Sequence, residues 1–371
     1  MLSSTGLHIL QDSGVPPRVD YTTLVFVHGF GCHSGIFARM IPYARKLGAR
    51  LILVNRRDYP GATPYSEDAR SLLSPGTVDP DTVRSSVSYF MKDRALEFSE
   101  FLAELVQEEG IPPAQPRTGA GGIMLVGWSI GGLWMTAFLA HVASSPHSQT
   151  LRQYVRRVII YDSPSSTFGY PRPENILDPF MLGMQGDKRF ATPEWFSGYF
   201  AHGRTVDTPA ERAYVTARAP IAKGGSDQLL VFHGYHCGLF REIWERVLYL
   251  EPHPPSPAAG EADVGRARDL EPERADDSES DSDRGAWDDV EVRHIWCDMA
   301  FWEGPHAALM VQAELADARA HGRRVRDVGS VRLRGMNHFA HWTHPERTLR
   351  AFLSDENCPI EVEEPSVRAR L

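Results

Sequence analysis

Apolar residues cluster along the chain in short runs separated by longer stretches of mixed polarity. Thr22 to Val27 (TTLVFV), Ala49 to Asn55 (ARLILVN), Gly122 to Val126 (GIMLV), Val155 to Tyr161 (VRRVIIY), Val290 to Trp296 (VEVRHIW) and Val328 to Leu333 (VGSVRL) have strand length. Most are apolar at nearly every position, as strands buried on both faces are. The intervening segments carry helical spacing. Val83 to Glu109 places Phe90, Leu96, Phe98, Phe101, Leu102 and Leu105 among its apolar positions, and Leu133 to Val142, Ala307 to His321 and Pro345 to Leu353 read as further helices. Strands alternating with helices imply right-handed crossovers and an α/β architecture: a mostly parallel central sheet with helices on both faces and ligands at the strands' carboxyl ends.

The alternation breaks after the fourth of these strands. Ser163 to Leu250 is rich in aromatics, glycine and proline, with short helical pieces such as Ile176 to Met184 and Pro193 to Phe200. It is too apolar for a linker and reads as an inserted helical lid over the carboxyl edge of the sheet. Phe168, Tyr170, Phe180, Trp195, Phe196, Tyr199 and Phe200 are its aromatic positions, pointing to a mostly apolar substrate or to packing of the lid on the sheet. The stretch 252–288 is proline-rich and acidic, with too little apolar surface to offset ordering, and reads as a disordered insertion. The expected organisation is therefore a first core part at 1–166, a lid at 167–250, the acidic insertion at 251–289 and a second core part at 290–371.

Charge follows the same division. The net charge is −9, and residues 251–290 alone hold 13 Asp and Glu against 4 Arg, a balance of −9, so the remainder is close to neutral. No basic stripe points to nucleic acid. No apolar run reaches the roughly 18 residues of a membrane span, and the first residues lack the basic start and apolar core of a secretory signal. The four cysteines, Cys32, Cys237, Cys297 and Cys358, have no metal-type spacing and no disulfide framework. The expected location is cytoplasmic or peroxisomal. Ala369-Arg370-Leu371 has the small-basic-leucine form of a peroxisomal address, which would make the import receptor a partner.

The chemistry concentrates at Gly127-Trp128-Ser129-Ile130-Gly131, between a buried strand and a helix. A serine there sits on a sharp turn that lifts its hydroxyl clear of the sheet and aims a helix N-terminus at it. Serine is a poor nucleophile near neutral pH and needs a base. His338 follows the last strand in Gly335-Met-Asn-His-Phe, at the same sheet edge, whereas His341 and His344 lie beyond it. A carboxylate must hold the imidazole tautomer, and two qualify: Asp162 after the strand that follows the serine motif and Asp298 after the penultimate strand. Oxyanion donors are expected from the backbone N–H of Ile130 and of Phe30, the latter in His28-Gly29-Phe30-Gly31, with His28 bracing the loop.

The ordered set HGFG, GWSIGG and GMNHF resembles the α/β-hydrolase superfamily over about residues 20 to 355. Asn55 to Ser66, together with YDSPSSTFGYP, is similar to fungal members, some linked to secondary metabolism. The family's usual acid lies in Gly-x-x-Asp after the penultimate strand. Here Cys297 takes the glycine place and Ala300 the acid's place, with Asp298 two positions early, so the resemblance favours Asp162, the position some related enzymes use. Epoxide hydrolases and haloalkane dehalogenases of this fold carry aspartate as nucleophile. Serine implies acyl transfer on an ester, thioester or lactone of a small molecule, with no metal or organic cofactor. The same residues also suit carbon–carbon bond hydrolysis or acyl transfer to another acceptor, and a non-catalytic chain could keep the pocket as a ligand sensor.

Overall fold

A computed structural model describes residues 5–74, 79–171, 198–202, 209–214, 240–250 and 285–355. Phe180, Trp195, Phe196, the segment Ile176 to Met184, nearly all of the acidic insertion, Cys237, Cys358 and Ala369-Arg370-Leu371 lie outside the described residues.

Seven strands form one sheet: β1 (His8–Asp12), β2 (Thr22–Val27), β3 (Ala49–Asn55), β4 (Ile123–Trp128), β5 (Val155–Tyr161), β8 (Glu291–Cys297) and β9 (Val328–Leu333). Their spatial order is β1-β3-β2-β4-β5-β8-β9. β1 runs antiparallel to β3 at one edge, and every other neighbouring pair is parallel. Strand alternation then divides the core in two. Val25, Val27, Ile52, Val54, Ile123, Leu125, Val158 and Ile160 face one layer. Leu24, Phe26, Leu51, Leu53, Met124, Val126, Ile159 and Tyr161 face the other. Both faces are buried, which is why the runs are apolar throughout rather than alternating.

Helices cover both layers. On the first lie α3 (Pro80–Glu109) and α4 (Gly132–His141). Asp79 starts α3 by accepting from the Thr82 N–H at 2.9 Å, with Pro80 at the first helical position and Gly110 closing the helix in left-handed backbone. Its stripe of Val87, Phe90, Met91, Phe98, Phe101 and Leu102 is buried against the sheet layer and α4. The other layer is covered by the 3-10 turn 34–40, α1 (Ile41–Ala44) and the C-terminal helix α9 (Pro345–Leu353). Two short helices, α2 (Glu67–Leu73) and α5 (Ser148–Arg152), complete the first half.

After β5 the chain leaves the sheet. Within the expected lid, Gly198–His202 (β6) and Pro209–Tyr214 (β7) pair antiparallel as a two-stranded ribbon. The Pro193 to Phe200 stretch was expected to be helical, and its described end is strand instead. Phe200 N–H donates to the Met299 carbonyl at 2.9 Å, an extended-chain contact a helix could not offer. The chain returns through α6 (Arg241–Leu248), whose apolar side (Ile243, Trp244, Val247, Leu248) is buried. Before β9, α7 (Glu303–Ala320) crosses the sheet, and α8 (Ala340–Thr343) precedes α9. Glu314 of α7 joins these parts. Its carboxylate accepts from Arg241 Nη1 (2.9 Å), Trp244 Nε1 (3.2 Å), the Tyr249 hydroxyl (2.7 Å) and the Tyr170 hydroxyl (2.5 Å). These donors, Arg241 foremost among them, outweigh the effect of burial and keep the Glu314 carboxyl below its usual range.

Candidate active site

Three strand ends bring the expected residues to one edge. β4 ends at Trp128, and the chain turns immediately into the helical segment that begins at Ser129. Ser129 has φ 56°, left-handed backbone that a side chain rarely accepts. The turn also needs bare glycine: a Cβ on Gly131 would stand 2.6 Å from the Val27 carbonyl oxygen. The Gly-x-Ser-x-Gly spacing is thus a packing requirement between the β4–α4 turn and the end of β2. Ile130, the residue whose N–H was assigned to the oxyanion, is buried within this turn, and Phe30 is half-buried on the loop after β2.

His338 lies on the loop after β9, buried. Trp128 Nε1 donates to the His338 carbonyl at 3.0 Å, and the two rings lie 4.8 Å apart. His338 is therefore seated on the residue directly before Ser129. The Phe301 ring also meets the imidazole edge-on, at 4.7 Å.

Of the two candidate acids, Asp162 reaches the histidine. His338 Nδ1 is 2.7 Å from Asp162 Oδ2. The second oxygen, Oδ1, accepts from the Cys297 N–H at 2.8 Å. Asp162 is itself in left-handed backbone at φ 44°, and its own N–H donates to the Ile295 carbonyl at 2.7 Å. Left-handed backbone at both Ser129 and Asp162 is strained and must be held in place by the surrounding structure. Gly304, in the first turn of α7, lets the carboxylate approach: a Cβ there would stand 2.7 Å from Oδ1. The Asp162 carboxylate thus faces the N-terminal end of an eighteen-residue helix, where a negative charge is favoured.

Asp298 is occupied elsewhere. Its Oδ2 accepts from Arg332 Nε (3.0 Å) and Nη2 (2.8 Å), and its Oδ1 from the Gly335 N–H (2.7 Å). It braces the loop that carries His338 without touching the imidazole. His341 is fully buried beneath Trp128, with Nδ1 3.3 Å from the Tyr161 hydroxyl. Burial, reinforced by neighbouring His338, pushes its pKa well below the ordinary histidine value, so it stays neutral. His344 is half-buried at the start of α9.

His28 was read as a brace, and its bonds fit that role. Its Nε2 accepts from the Arg56 N–H at 3.1 Å, which leaves Nδ1 to carry the proton toward the Gly29 carbonyl at 3.0 Å. Burial foremost, and the adjacent Arg56 cation, hold its pKa well below the ordinary value. Asn55 ties the neighbouring turns together by accepting from the Ser34 N–H at 2.8 Å and donating to the Pro60 carbonyl at 2.8 Å.

A family model described as the alpha/beta hydrolase family matches residues 24–351. The chain belongs to that family. The chain is similar to solved structures that include a bromoperoxidase from Bacillus anthracis (13% identity, 93% of this chain and 94% of that one, TM-score 0.42). An esterase from Exiguobacterium antarcticum (13%, 92% and 94%, TM-score 0.41) and epoxide hydrolase I of potato (12%, 95% and 98%, TM-score 0.41) are similar to it as well. No curated protein matches the chain. Among its described residues, no helix is long and apolar enough to cross a membrane.

The residues that seat this hydrolase's site but escaped the sequence reading are Trp128, Phe301, Gly304 and the Cys297 amide. Trp128 stands inside the motif and was passed over as its variable position. The Cys297 amide and Gly304 act through backbone, so no side-chain pattern announces them.

Proposed function

We propose that this hydrolase cleaves a carboxylic ester, thioester or lactone of a mostly apolar small molecule through an acyl-enzyme on Ser129. The 2.7 Å contact between His338 Nδ1 and Asp162 Oδ2 carries the reading. A carboxylate at Nδ1 fixes the tautomer that leaves Nε2 as the basic nitrogen and stabilises the imidazolium that forms.

In this reading the Ser129 hydroxyl attacks the carbonyl carbon while His338 Nε2 takes its proton. The N–H groups of Ile130 and Phe30 hold the oxyanion, each worth about 3 kcal/mol in the transition state. The imidazolium then gives its proton to the departing alcohol, thiol or ring oxygen as the carbonyl re-forms. Water attacks the acyl-enzyme with His338 again as base, the carboxylic acid leaves, and the proton returns to Ser129. Every proton taken is returned and no atom changes oxidation state, so the cycle needs no redox partner. Phe301 against the imidazole, with Phe200 packed on Phe301, supports an apolar substrate.

A panel of p-nitrophenyl esters of increasing acyl length tests the reaction class. Release of p-nitrophenol that disappears in Ser129→Ala is the expected result. Cleavage confined to β-diketones would move the reading to carbon–carbon hydrolysis on the same residues.

A further inference from the structure

Arg56 is a fully buried cation beside the site, and its bonds go to the loop that the proposed mechanism uses. Nε donates to the His28 carbonyl at 3.2 Å and Nη2 to the Gly29 carbonyl at 3.1 Å. Its backbone N–H donates to His28 Nε2 at 3.1 Å, and His28 Nδ1 returns a second bond to the Gly29 carbonyl at 3.0 Å. The guanidinium lies over the Trp134 ring at 4.2 Å, on the helix that begins beside Ser129, and near the Tyr59 ring at 5.0 Å. Arg56 therefore joins the loop after β2 to the helix behind the serine.

The consequence follows from peptide geometry. A trans peptide is planar, with its C=O and N–H pointing in opposite directions. The described chain contains no cis bond. Two donors fix the Gly29 carbonyl toward Arg56 and His28, so the N–H of the same peptide unit, that of Phe30, points away from them. The Gly29 Cα is packed on the serine: a Cβ there would stand 2.7 Å from Ser129 Cβ and 3.0 Å from the Trp128 ring. The peptide whose direction Arg56 sets is thus the one lying directly against Ser129.

We propose that Arg56 is a positioning residue that aims the Phe30 N–H at the developing oxyanion by holding the Gly29–Phe30 peptide from behind. A lysine cannot replace it, because one ammonium cannot offer a rigid fork to two successive carbonyls while lying flat on an indole. The inference rests on the serine hydrolase reading and adds a residue to it.

The test compares wild type with Arg56→Lys and Arg56→Gln using two ketone probes. A trifluoromethyl ketone forms a hemiketal oxyanion on the serine, and the matching methyl ketone binds without forming one to a comparable degree. Both variants are expected to lose about 10- to 100-fold in kcat, less than the loss on deleting a donor outright, with KM within about twofold. Affinity for the trifluoromethyl ketone should fall in parallel, and affinity for the methyl ketone should stay. A merely structural arginine would lower both affinities together, and that result overturns the proposal, as does wild-type kcat in Arg56→Lys. Should the variants not fold, wild type labelled with 15N-phenylalanine decides. The Phe30 amide proton should move downfield with the trifluoromethyl ketone and not with the methyl ketone, and an unmoved Phe30 amide overturns the proposal. A wild type inert to esters and to fluorophosphonate overturns this inference and the hydrolase reading together. An active wild type whose variants keep trifluoromethyl ketone affinity overturns this inference alone.

Discussion

The two aspartates at the carboxyl edge differ in what their oxygens already bind. Asp162 offers one oxygen to His338 Nδ1 and the other to a backbone amide, whereas Asp298 spends both on Arg332 and Gly335. Asp162→Asn keeps the shape but presents the wrong partner to Nδ1, and kcat on an ester substrate should fall by about 10⁴. Asp298→Asn should leave kcat within about threefold and lower the melting temperature slightly, since its ion pair is part-exposed. The reverse ranking would reassign the acid. Ser129 and His338 stand out in the sequence because each lies in a short ordered motif. The two aspartates do not separate by local pattern, because both follow strands at the same edge and differ only in partners from distant parts of the chain, and only the resemblance leaned to Asp162. Arg332 sits on β9 in register with Trp296 of β8, a pairing that no local pattern encodes.

At the scale of elements, the buried strands were read almost to the residue, since burial on both faces leaves an unbroken apolar run. The edge strand β1 was missed: His8 to Asp12 is short, partly exposed and pairs on one side only. The helix Glu67–Leu73 was not anticipated, although Ser66 caps it through the Ala69 N–H at 3.2 Å. α7 starts at Glu303, four residues before the expected Ala307, and those residues matter because they carry Gly304 to the Asp162 carboxylate. Gly304→Ala should displace that carboxylate by several tenths of an ångström. A displacement of that order in a catalytic group costs about 10-fold or more in rate. The expected observation is a fall in kcat with a native far-ultraviolet spectrum, and an unchanged kcat would show that the helix end has room to yield.

At the scale of the whole molecule, three histidines among the described residues are fully buried outside the proposed proton path: His28, His294 and His341. All have pKa values depressed first by burial, with His294 lowered to about 3. His294 packs against the Phe168 ring at 5.1 Å, and among the described residues neither of its ring nitrogens has a hydrogen-bond partner. In the unfolded chain such histidines protonate near pH 6.5, while the folded protein keeps them neutral. Below about 6.5 the unfolded state binds more protons, so stability is lost as pH falls, by about 1.4 kcal/mol per pH unit for each histidine. For His294 that loss continues down to about pH 3. Denaturant unfolding measured between pH 6.5 and 5 should show a steep decline. His294→Leu should make it shallower by one proton's worth and leave stability at pH 8 equal or higher. An unchanged slope would mean that His294 is neutral in both states or solvated in the folded one.

Covalent labelling of the serine tests the account most directly. Wild-type protein exposed to a fluorophosphonate probe, digested and sequenced by mass spectrometry, should carry the probe on Ser129. The labelling rate should fall by orders of magnitude in His338→Ala and be undetectable in Ser129→Ala. Absence of labelling where a known serine hydrolase reacts, or labelling that persists in Ser129→Ala, would contradict it.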